Sequence, residues 1–402
     1  MILVGDYIPR DRIVKLPTIF EKQQILANLE GPICKIGLHK SNKVGICLHT
    51  VLKDDLCGSI SHFAYSLANN HMMDYSEEGL SQTCATLNKI GVPYSGAGQT
   101  ISEARRPMIL EENGCKIAVF SCCEKQFGIA GESTPGCAEM GTWLYTSIQE
   151  IKQSKKVDYV IVSCHVASEF SPWVSPKLRS FYHSLIDVGV DCIHGHHSHV
   201  PQGYEVYKDR PIFYGLGNFV VDVDMWAKNP NCLWSLSVNI KFKKDGITWS
   251  PMFIGVRKDG DVLNVSFLES EKLERARRYI EMANEQFESW EKCLACWQEA
   301  SVALYSKIYA PNTRIWFSVG HKITFRERLK LICFASFDVF SAFLGRSFPK
   351  ERSRYSAKVG YNLFCCPSHT EMISTYLGLS TEAERDYRTE QTRSLATSLG
   401  LY

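Results

Sequence analysis

The sequence lacks the features of a membrane-spanning or secreted protein. Its first residues, MILVGDYIPRDR, have neither the basic start nor the long apolar stretch of a signal peptide. The strongly apolar run Leu329–Leu344 is too short to span a bilayer and contains Asp338, so a transmembrane helix is excluded there. We therefore expect a cytoplasmic protein.

The chain also has little net charge, with 45 basic and 43 acidic residues and a formal charge of +2. No basic stripe with interleaved aromatic residues occurs in the first two thirds, so we expect no nucleic-acid partner. The 16 cysteines include several inside apolar runs, where reduced cysteine acts as a small hydrophobe. Cys293-x-x-Cys296 is a candidate zinc pair, but it has no second pair at suitable spacing, which favours core packing.

Apolar β-type runs alternate with helix-type patterns up to about residue 225, which predicts an α/β domain. The predicted strands are Met1–Val4, Ile25–Leu29, Phe63–Leu67, Ile117–Ser121, Tyr159–Cys164 and Cys192–Ile193. The predicted helices are Glu77–Ile90, Leu144–Lys152 and Lys177–Val188. Asn113-Gly114 predicts a type I′ hairpin, so part of the sheet should be antiparallel. We expect Ile212–Tyr214, Leu236–Phe242 and Ile247–Phe253 to complete a second sheet.

With 402 residues, the chain is long enough for two domains, predicted at residues 1–268 and 269–402. From Leu273 to Trp297, apolar residues recur at spacings of three and four, which predicts one amphipathic helix of more than seven turns. Its apolar face needs a partner, either another helix, with Leu329–Leu344 the nearest candidate, or a second copy of the chain. Alternatively, Leu329–Leu344 with its basic flanks lies on a membrane surface.

Polar side chains that can bind metals follow five of the predicted strands. Taken singly, each has an ordinary explanation as a turn residue, a cap or a core histidine, and Asp74 could cap the next helix. Four histidines within His194–His199 are harder to explain structurally. Because such strand ends converge on one crevice, we predict a metal site there. The candidate residues at these strand ends are Asp6, Glu30, Asn70, His71, His165 and the histidines within His194–His199. Carboxylate, amide and imidazole ligands in this number suit two divalent ions, Mn²⁺, Fe²⁺ or Zn²⁺.

The order of these motifs resembles the bacterial capsule-synthesis (CapA-like, poly-γ-glutamate-synthesis) family, a branch of the calcineurin-like metallophosphoesterases. The motifs are Gly-Asp, Asn-Leu-Glu-Gly, Ala-Asn-Asn-His-x-x-Asp, Ser-Gly-Ala-Gly, His-x-x-x-Glu, Gly-His-His-x-His-Val and Leu-Gly-Asn-Phe, over roughly residues 3 to 225. The resemblance implies a four-layer α/β/β/α sandwich, here with a C-terminal helical extension. It assigns metal contacts to Asp6, Glu30, Asn70, His71, His165, His197 and His199, with His196 as an alternative ligand. Asn218 is a candidate for orienting a ligand or substrate, or alternatively a turn residue.

The chain departs from the family pattern at two motifs. The superfamily usually has Asp-x-His first, but Asp6-Tyr7-Ile8 supplies no histidine, so one metal position has fewer ligands. Family members commonly carry His-Trp-Gly at the fourth motif, where this chain reads His165-Val166-Ala167. Substrate preference should therefore differ.

The resulting expectation is a dinuclear metal-dependent hydrolase acting on an anionic small molecule or polymer, with phosphoester hydrolysis favoured over amide hydrolysis. His196 or His194 is the candidate for protonating the leaving group. The alternative is a non-catalytic metal-binding component of a capsule or polymer assembly complex. Peripheral membrane contact and self-association through the C-terminal helix are further expectations.

Overall fold

The structure is a computed structural model that describes residues 1–35, 38–41, 43, 45–51, 62–309 and 362–402. Its strands are β1 Ile2–Ile8, β2 Ile13–Lys15, β3 Ile25–Leu29, β4 Phe63–Ser66, β5 Tyr94–Ser95, β6 Ala97–Gly98, β7 Met108–Glu112, β8 Cys115–Cys123, β9 Gly136–Cys137, β10 Tyr159–His165, β11 Cys192–His196, β12 Pro201–Tyr207, β13 Arg210–Leu216, β14 Asn218–Val221, β15 Trp234–Lys243, β16 Gly246–Asp259 and β17 Val262–Phe267. Its helices are α1 Thr18–Glu21, α2 Ser76–Ile90, α3 Ile101–Ala104, α4 Trp143–Gln153, α5 Pro176–Asp187, α6 Ser270–Asn284, α7 Trp290–Leu304, α8 Pro367–Ser380 and α9 Glu390–Ser398.

Two large mixed sheets form the centre of the fold. The first has the order β2-β17-β16-β15-β1-β3-β4-β5, with β14 also paired to β1, and the second has the order β12-β13-β11-β10-β8-β7. Strands β1, β3, β4 and β5 run parallel, as do β8, β10, β11 and β13. The residues predicted to bind metal lie at or just after the carboxyl ends of these two groups of parallel strands.

Buried side chains divide the fold into four layers. Leu3 and Leu26 of the first sheet pack against Ile117 and Ile161 of the second in one apolar cluster. The outer face of the first sheet packs against α2 in another cluster, and the outer face of the second sheet packs against α4 and α5 in a further one. Each sheet is therefore covered on both faces, which explains its continuous apolar runs. The predicted α/β/β/α sandwich is confirmed.

The predicted strands and helices of the first 225 residues coincide with observed elements of the same type and extend beyond them by at most one residue. The hairpin is also confirmed, since β7 and β8 are antiparallel and Asn113 and Gly114 have φ angles of 51° and 74°. The expected division of strands between sheets is wrong. Leu236–Phe242 and Ile247–Phe253 extend the first sheet beside β1, whereas Ile212–Tyr214 joins the second beside β11. Local patterns do not encode these long-range pairings.

The expected single helix from Leu273 to Trp297 is also wrong. Helix α6 ends at Asn284, a 3₁₀ turn follows at Glu285–Phe287, and α7 begins at Trp290 after its N-cap Ser289. The capping hydroxyl of Ser289 accepts a hydrogen bond from Lys292 N, and this local bond starts a new helix. Trp290 is 46% exposed, contrary to the expected buried face, whereas Trp297 is 2% exposed.

Helix α7 packs on the final part of the chain. Trp297 Nε1 donates a hydrogen bond to Thr375 Oγ1 of α8 at 3.1 Å, and both helices join the apolar cluster between the sheets.

The expected partner Leu329–Leu344 lies outside the described residues, so its packing and its membrane contact stay predictions, as does the division at residue 268. Cys293 and Cys296 are buried on α7. Among the described residues, no helix has the length and apolar composition needed to cross a membrane.

Candidate metal centre

The strand ends place Asp6 opposite Asn218 at the edge of the first sheet. Strands β1 and β14 are parallel, and Asp6 pairs with Asn218 in their register. A Cβ atom on Gly5 would lie 1.8 Å from Gly217 O, so only glycine permits this approach. Glycine is therefore required before Asp6, because it lets the backbone of β1 approach the strand that carries Asn218.

His165 lies at the centre of the predicted ligands. Its Nδ1 is 3.6 Å from Asp6 Oδ1, and its Nε2 is 3.6 Å from Glu30 Oε1 and 3.1 Å from Asn70 Oδ1. The ring centroid of His197 is 4.4 Å away. Ligand atoms of Glu30, His165 and His197 all lie within 4.8 Å of one another. Residues from both sheets thus meet in one cluster.

His199 forms the other side of the cluster. Its Nδ1 lies 3.6 Å from Asp6 Oδ2, and its Nε2 lies 3.8 Å from Glu30 Oε1. Asp6, Glu30 and His199 form a second group of ligand atoms within 4.8 Å. Trp226 stacks on the His199 ring with centroids 3.8 Å apart and so covers one face of the site.

The backbone after β11 is bent to direct two histidines into the cluster. His197 has a φ of 82° and His199 a φ of 57°, both in the left-handed region that non-glycine residues rarely adopt. Such strain persists where the surrounding structure enforces it, and it is frequent at functional sites. It explains why both histidines can point into the same site although they are two residues apart.

His71 lies beside this cluster and is held by a different set of contacts. Its Nδ1 is 2.7 Å from Asp74 Oδ2 and 2.9 Å from the ammonium of Lys43, which also pairs with Asp74. Only Nε2 of His71 is left to face the site. The expectation that Asp74 caps the next helix is wrong, because α2 has no side-chain cap and Asp74 instead accepts the Leu48 N–H.

His196 and His194 form a chain behind Asp6. His196 Nδ1 lies 3.3 Å from Asp6 Oδ1, and His196 Nε2 lies 3.3 Å from His194 Nδ1. His194 Nε2 lies 2.8 Å from Val4 O, to which it donates. Both nitrogens of His194 are therefore engaged inside the protein, whereas Nδ1 of His196 has no hydrogen-bond partner among the described residues. The predicted role of His196 in proton transfer stays a prediction.

The buried polar atoms of the cluster fit a divalent cation. Asp6 and Glu30 are fully buried, and Asp6 Oδ2, both carboxylate oxygens of Glu30 and Nδ1 of His197 have no hydrogen-bond partner within the described part of the chain. Unpaired buried carboxylates are costly unless a cation or a donor compensates them. Carboxylate oxygens next to imidazole nitrogens are ligands suited to Mn²⁺, Fe²⁺ or Zn²⁺.

The protonation states agree with this fit. Burial lowers the pKa of His165 and of His199 to about 4, so both rings are neutral at pH 7 and can offer a lone pair. Burial raises the pKa of Asp6, but hydrogen bonds with His165 and His196 outweigh it and hold that pKa well below its usual range. Burial, followed by the charge of Asp6, raises the pKa of Glu30.

Two residues near the ligands were not singled out from the sequence. Asn28 Nδ2 donates to Asp6 Oδ1 at 2.8 Å and lies 3.0 Å from His165 Nδ1, so it orients both. Glu169 groups with His197 and His199 within 4.8 Å, and burial raises its pKa to about 7. Asn28 lies in the motif Asn-Leu-Glu-Gly and Glu169 in the motif His-x-x-x-Glu. Their place in these two motifs is the sequence feature that could have identified them.

The fold and the cluster agree with what the sequence resemblance to the calcineurin-like metallophosphoesterases implied. The structure is a four-layer α/β/β/α sandwich with acidic, amide and imidazole groups at the carboxyl ends of both sheets. Within that class, the chain belongs to the family described as bacterial capsule synthesis protein PGA_cap, whose family model matches residues 14–223. The resemblance drawn from the sequence motifs is thus confirmed.

Two curated relatives have names that refer to capsule or PGA biosynthesis. The chain is 30% identical over 214 residues to a capsule biosynthesis protein CapA of Bacillus anthracis, covering 51% of this chain and 52% of that protein. It is 31% identical over 241 residues to a PGA biosynthesis protein CapA of Bacillus subtilis, covering 57% of this chain and 60% of that protein. The chain thus matches between half and two thirds of the length of these relatives.

One solved structure is similar to this chain at low identity. A putative 5′-nucleotidase from Staphylococcus aureus, in complex with alpha-ketoglutarate, is 13% identical with a TM-score of 0.39, over 70% of this chain and 57% of that one.

Proposed function

We propose that this chain is a metal-dependent hydrolase of phosphoester bonds that acts in capsule or poly-γ-glutamate synthesis on an anionic small molecule or polymer. One observation carries the proposal. Buried carboxylate oxygens of Asp6 and Glu30, without hydrogen-bond partners in the described structure, face the neutral imidazoles of His165, His197 and His199. That arrangement is suited to holding divalent cations where an anionic substrate must bind.

The residues that would hold two ions are Asp6, Glu30, Asn70, His165, His197 and His199, with Glu169 as an added candidate. Divalent ions held there would polarise a phosphoryl oxygen and help a water molecule to ionise near neutral pH. Asn28 and Asn218 would orient the ligands through their amide groups. Trp226 and the surrounding buried side chains would exclude bulk water, which strengthens electrostatic interactions inside the site.

In this proposal His71 takes part in proton transfer as a neutral imidazole, because burial lowers its pKa to about 4, and it does not bind metal. Asp74 engages its Nδ1, and no group of ligand atoms within 4.8 Å among the described residues includes it. An imidazole oriented by a carboxylate, with its other nitrogen directed at the reaction, is a common arrangement for general acid–base catalysis. His196 stays beside Asp6, with its Nδ1 3.3 Å from Asp6 Oδ1.

A specific observation also favours the alternative, a non-catalytic metal-binding component of a polymer assembly complex. Ile8 occupies the place where the superfamily usually has a second histidine ligand, and it is fully buried in an apolar cluster. One ion would then bind weakly, and the site would hold an anionic chain without cleaving it.

An assay of the purified full chain separates these functions. Metal content would be measured after loading with Mn²⁺ or Zn²⁺, and hydrolysis of a chromogenic phosphodiester would be followed with and without the ion. Metal-dependent hydrolysis that Glu30→Gln abolishes, and that the exposed-site control Glu132→Gln does not change, supports the hydrolase. Metal binding without hydrolysis supports the assembly component, and absence of both would refute the two together.

A further inference from the structure

Two adjoining cavities lie along helix α6, and all their lining residues come after the family-matched residues 14–223. The larger has a volume of about 620 Å³ and lies between α6, strands β15 to β17 and the 3₁₀ turn Pro230–Cys232. The smaller, of about 410 Å³, lies between α6, the same turn and the end of α9. Both are lined by Pro230, Asn231, Arg275 and Tyr279, so together they form one groove, the α6 groove.

The α6 groove is lined by four cationic side chains. Arg257 comes from β16, and Lys272, Arg275 and Arg278 come from α6. All four are exposed to solvent. Among the described residues that line the groove, Glu269 is the one acidic residue. Four positive charges against one negative charge give the groove a positive potential that attracts anions.

These cations have no ion-pair partner within the described part of the chain. Their neighbours differ in this respect. Arg277 pairs with Glu274 at 3.0 Å, and Lys258, next to Arg257, pairs with Asp222 at 2.6 Å. The cations that line the groove are therefore the ones left available for an anionic ligand.

The three cations of α6 form a row along the groove. Lys272, Arg275 and Arg278 recur at every third position, and residues three apart are neighbours on a helix surface. At a rise of about 1.5 Å per residue, successive members of the row are displaced by about 4.5 Å along the helix axis. A ligand with a single anionic group would meet one or two of these cations, whereas a chain with repeated anionic groups would meet all of them.

The floor of the groove is apolar. Trp234 and Tyr279 meet there edge to face, with ring centroids 5.3 Å apart, and are 9% and 5% exposed. Leu233 and Phe267 line the larger cavity and are 49% and 41% exposed. Exposed apolar groups beside cations suit a ligand whose anionic groups are joined by aliphatic units.

The aromatic lining disfavours a nucleic acid. Single-stranded nucleic acids stack successive bases on several aromatic side chains. Of the aromatic rings that line the groove, only Phe267 offers a well-exposed face, because Trp234 and Tyr279 are buried.

We propose that the α6 groove binds a linear polycarboxylate, which is an anionic chain with carboxylates repeated along an aliphatic backbone. Arginine and lysine form charge-assisted hydrogen bonds with carboxylates, and arginine can form two at once. The choice of carboxylates over other anions rests on the proposed function in capsule or poly-γ-glutamate synthesis. The groove shares no lining residue with the candidate metal ligands, so binding there requires no contact with the metal centre.

The test measures binding of a fluorescein-labelled, γ-linked glutamate decamer to the full chain by fluorescence anisotropy. Arg275→Glu is the test variant, because Arg275 lines both cavities, and Arg277→Glu is the matched control. Both arginines are exposed on α6 and both substitutions change the net charge equally, but Arg277 lines neither cavity. The competitors are monomeric glutamate, a neutral γ-linked glutamine decamer and a single-stranded oligonucleotide of the same charge as the glutamate decamer.

The wild type should bind the glutamate decamer with an affinity that falls as the salt concentration rises. Arg275→Glu should weaken binding about tenfold, and Lys272→Glu should weaken it as well, whereas Arg277→Glu should stay within about twofold of the wild type. Monomeric glutamate should compete only at much higher concentration than the unlabelled glutamate decamer, and the glutamine decamer should not compete.

Equal weakening by Arg275→Glu and Arg277→Glu, absence of decamer binding to the wild type, or equal competition by the glutamine decamer would overturn the inference. Tighter binding of the oligonucleotide than of the glutamate decamer would also overturn it and would indicate a nucleic-acid ligand. Failure of the proposed hydrolase is distinguishable, because Glu30→Gln should leave decamer binding unchanged and Arg275→Glu should leave hydrolysis of the chromogenic phosphodiester unchanged.

Discussion

The Oδ1 atom of Asn218 lies 3.1 Å from Nδ1 of His199, which donates to it, and this contact joins strand β14 to the histidine-rich turn after β11. The bond leaves Nε2 of His199 with its lone pair directed toward Glu30. Amide and carboxylate partners of this kind orient a ligating imidazole and raise its basicity.

Asn218→Ala should therefore weaken metal binding roughly 10- to 100-fold, because His199 loses its orienting acceptor. Asn218→Asp keeps an acceptor at the same place and should retain most of the affinity. Competition with a fluorescent chelator measures both values. Equal affinity of the alanine variant and the wild type would show that Asn218 is only a turn residue.

His197→Ala should reduce the metal content while leaving the fold nearly unchanged. The buried ring has its Nδ1 unpartnered among the described residues, and alanine keeps the Cβ atom at the φ of 82°, so the backbone strain stays the same. Metal content and a thermal melt would be measured together. The exposed His39→Ala is the control, and full occupancy in His197→Ala would favour His196 as the ligand instead.

His71→Asn should lower kcat by about 10²- to 10⁴-fold without changing the metal content, because it removes a group for proton transfer and no ligand. This outcome would move His71 from the metal contact predicted by the sequence to an acid–base role. Loss of metal in this variant would instead restore the original assignment.

Stability should decrease at acidic pH through Glu205, far from the metal centre. Burial raises its pKa, but hydrogen bonds from His183, Arg179 and Tyr214 outweigh it and lower the pKa to about 2. Because the folded-state pKa lies below the unfolded value near 4.5, the stabilisation is complete above about pH 4.5 and is lost as the pH falls toward 2.

Glu205→Gln should therefore cost about 2 kcal/mol at pH 7, the scale of hydrogen bonds to a charged group. Its free energy of unfolding should also change less between pH 4.5 and 2 than that of the wild type. Urea unfolding across this range measures both. Parallel pH profiles of the two proteins would rule out Glu205 as the source.

The structure brings many of the predicted site residues together because they follow strands, and parallel strands end at a common edge. Asp6, Glu30 and His165 each occupy such a position, so local patterns were sufficient to group them. Lys43 and Trp226 also contact this region, but Lys43 comes from an irregular segment and Trp226 from a short 3₁₀ helix, and the position of both depends on the whole fold. No local pattern identifies such residues.

Long-range pairing explains the remaining errors. Strand β15 has the same alternating pattern whichever sheet it joins, so its place beside β1 could not be read from residues 234–243. The break between α6 and α7 depends on one capping bond from Ser289, which interrupts an otherwise continuous apolar spacing. The docking of α8 through Glu124 depends on residues more than 240 positions apart.

The most direct test of this account is a crystal structure of the full chain grown with Mn²⁺, with anomalous scattering used to locate the ions. We expect anomalous peaks roughly 2.0–2.2 Å from ligand atoms of Asp6, Glu30, His165, His197 and His199, at the carboxyl edge of the two sheets. Absence of any peak there at saturating Mn²⁺, or peaks found only elsewhere, would contradict the metal centre and the function proposed from it.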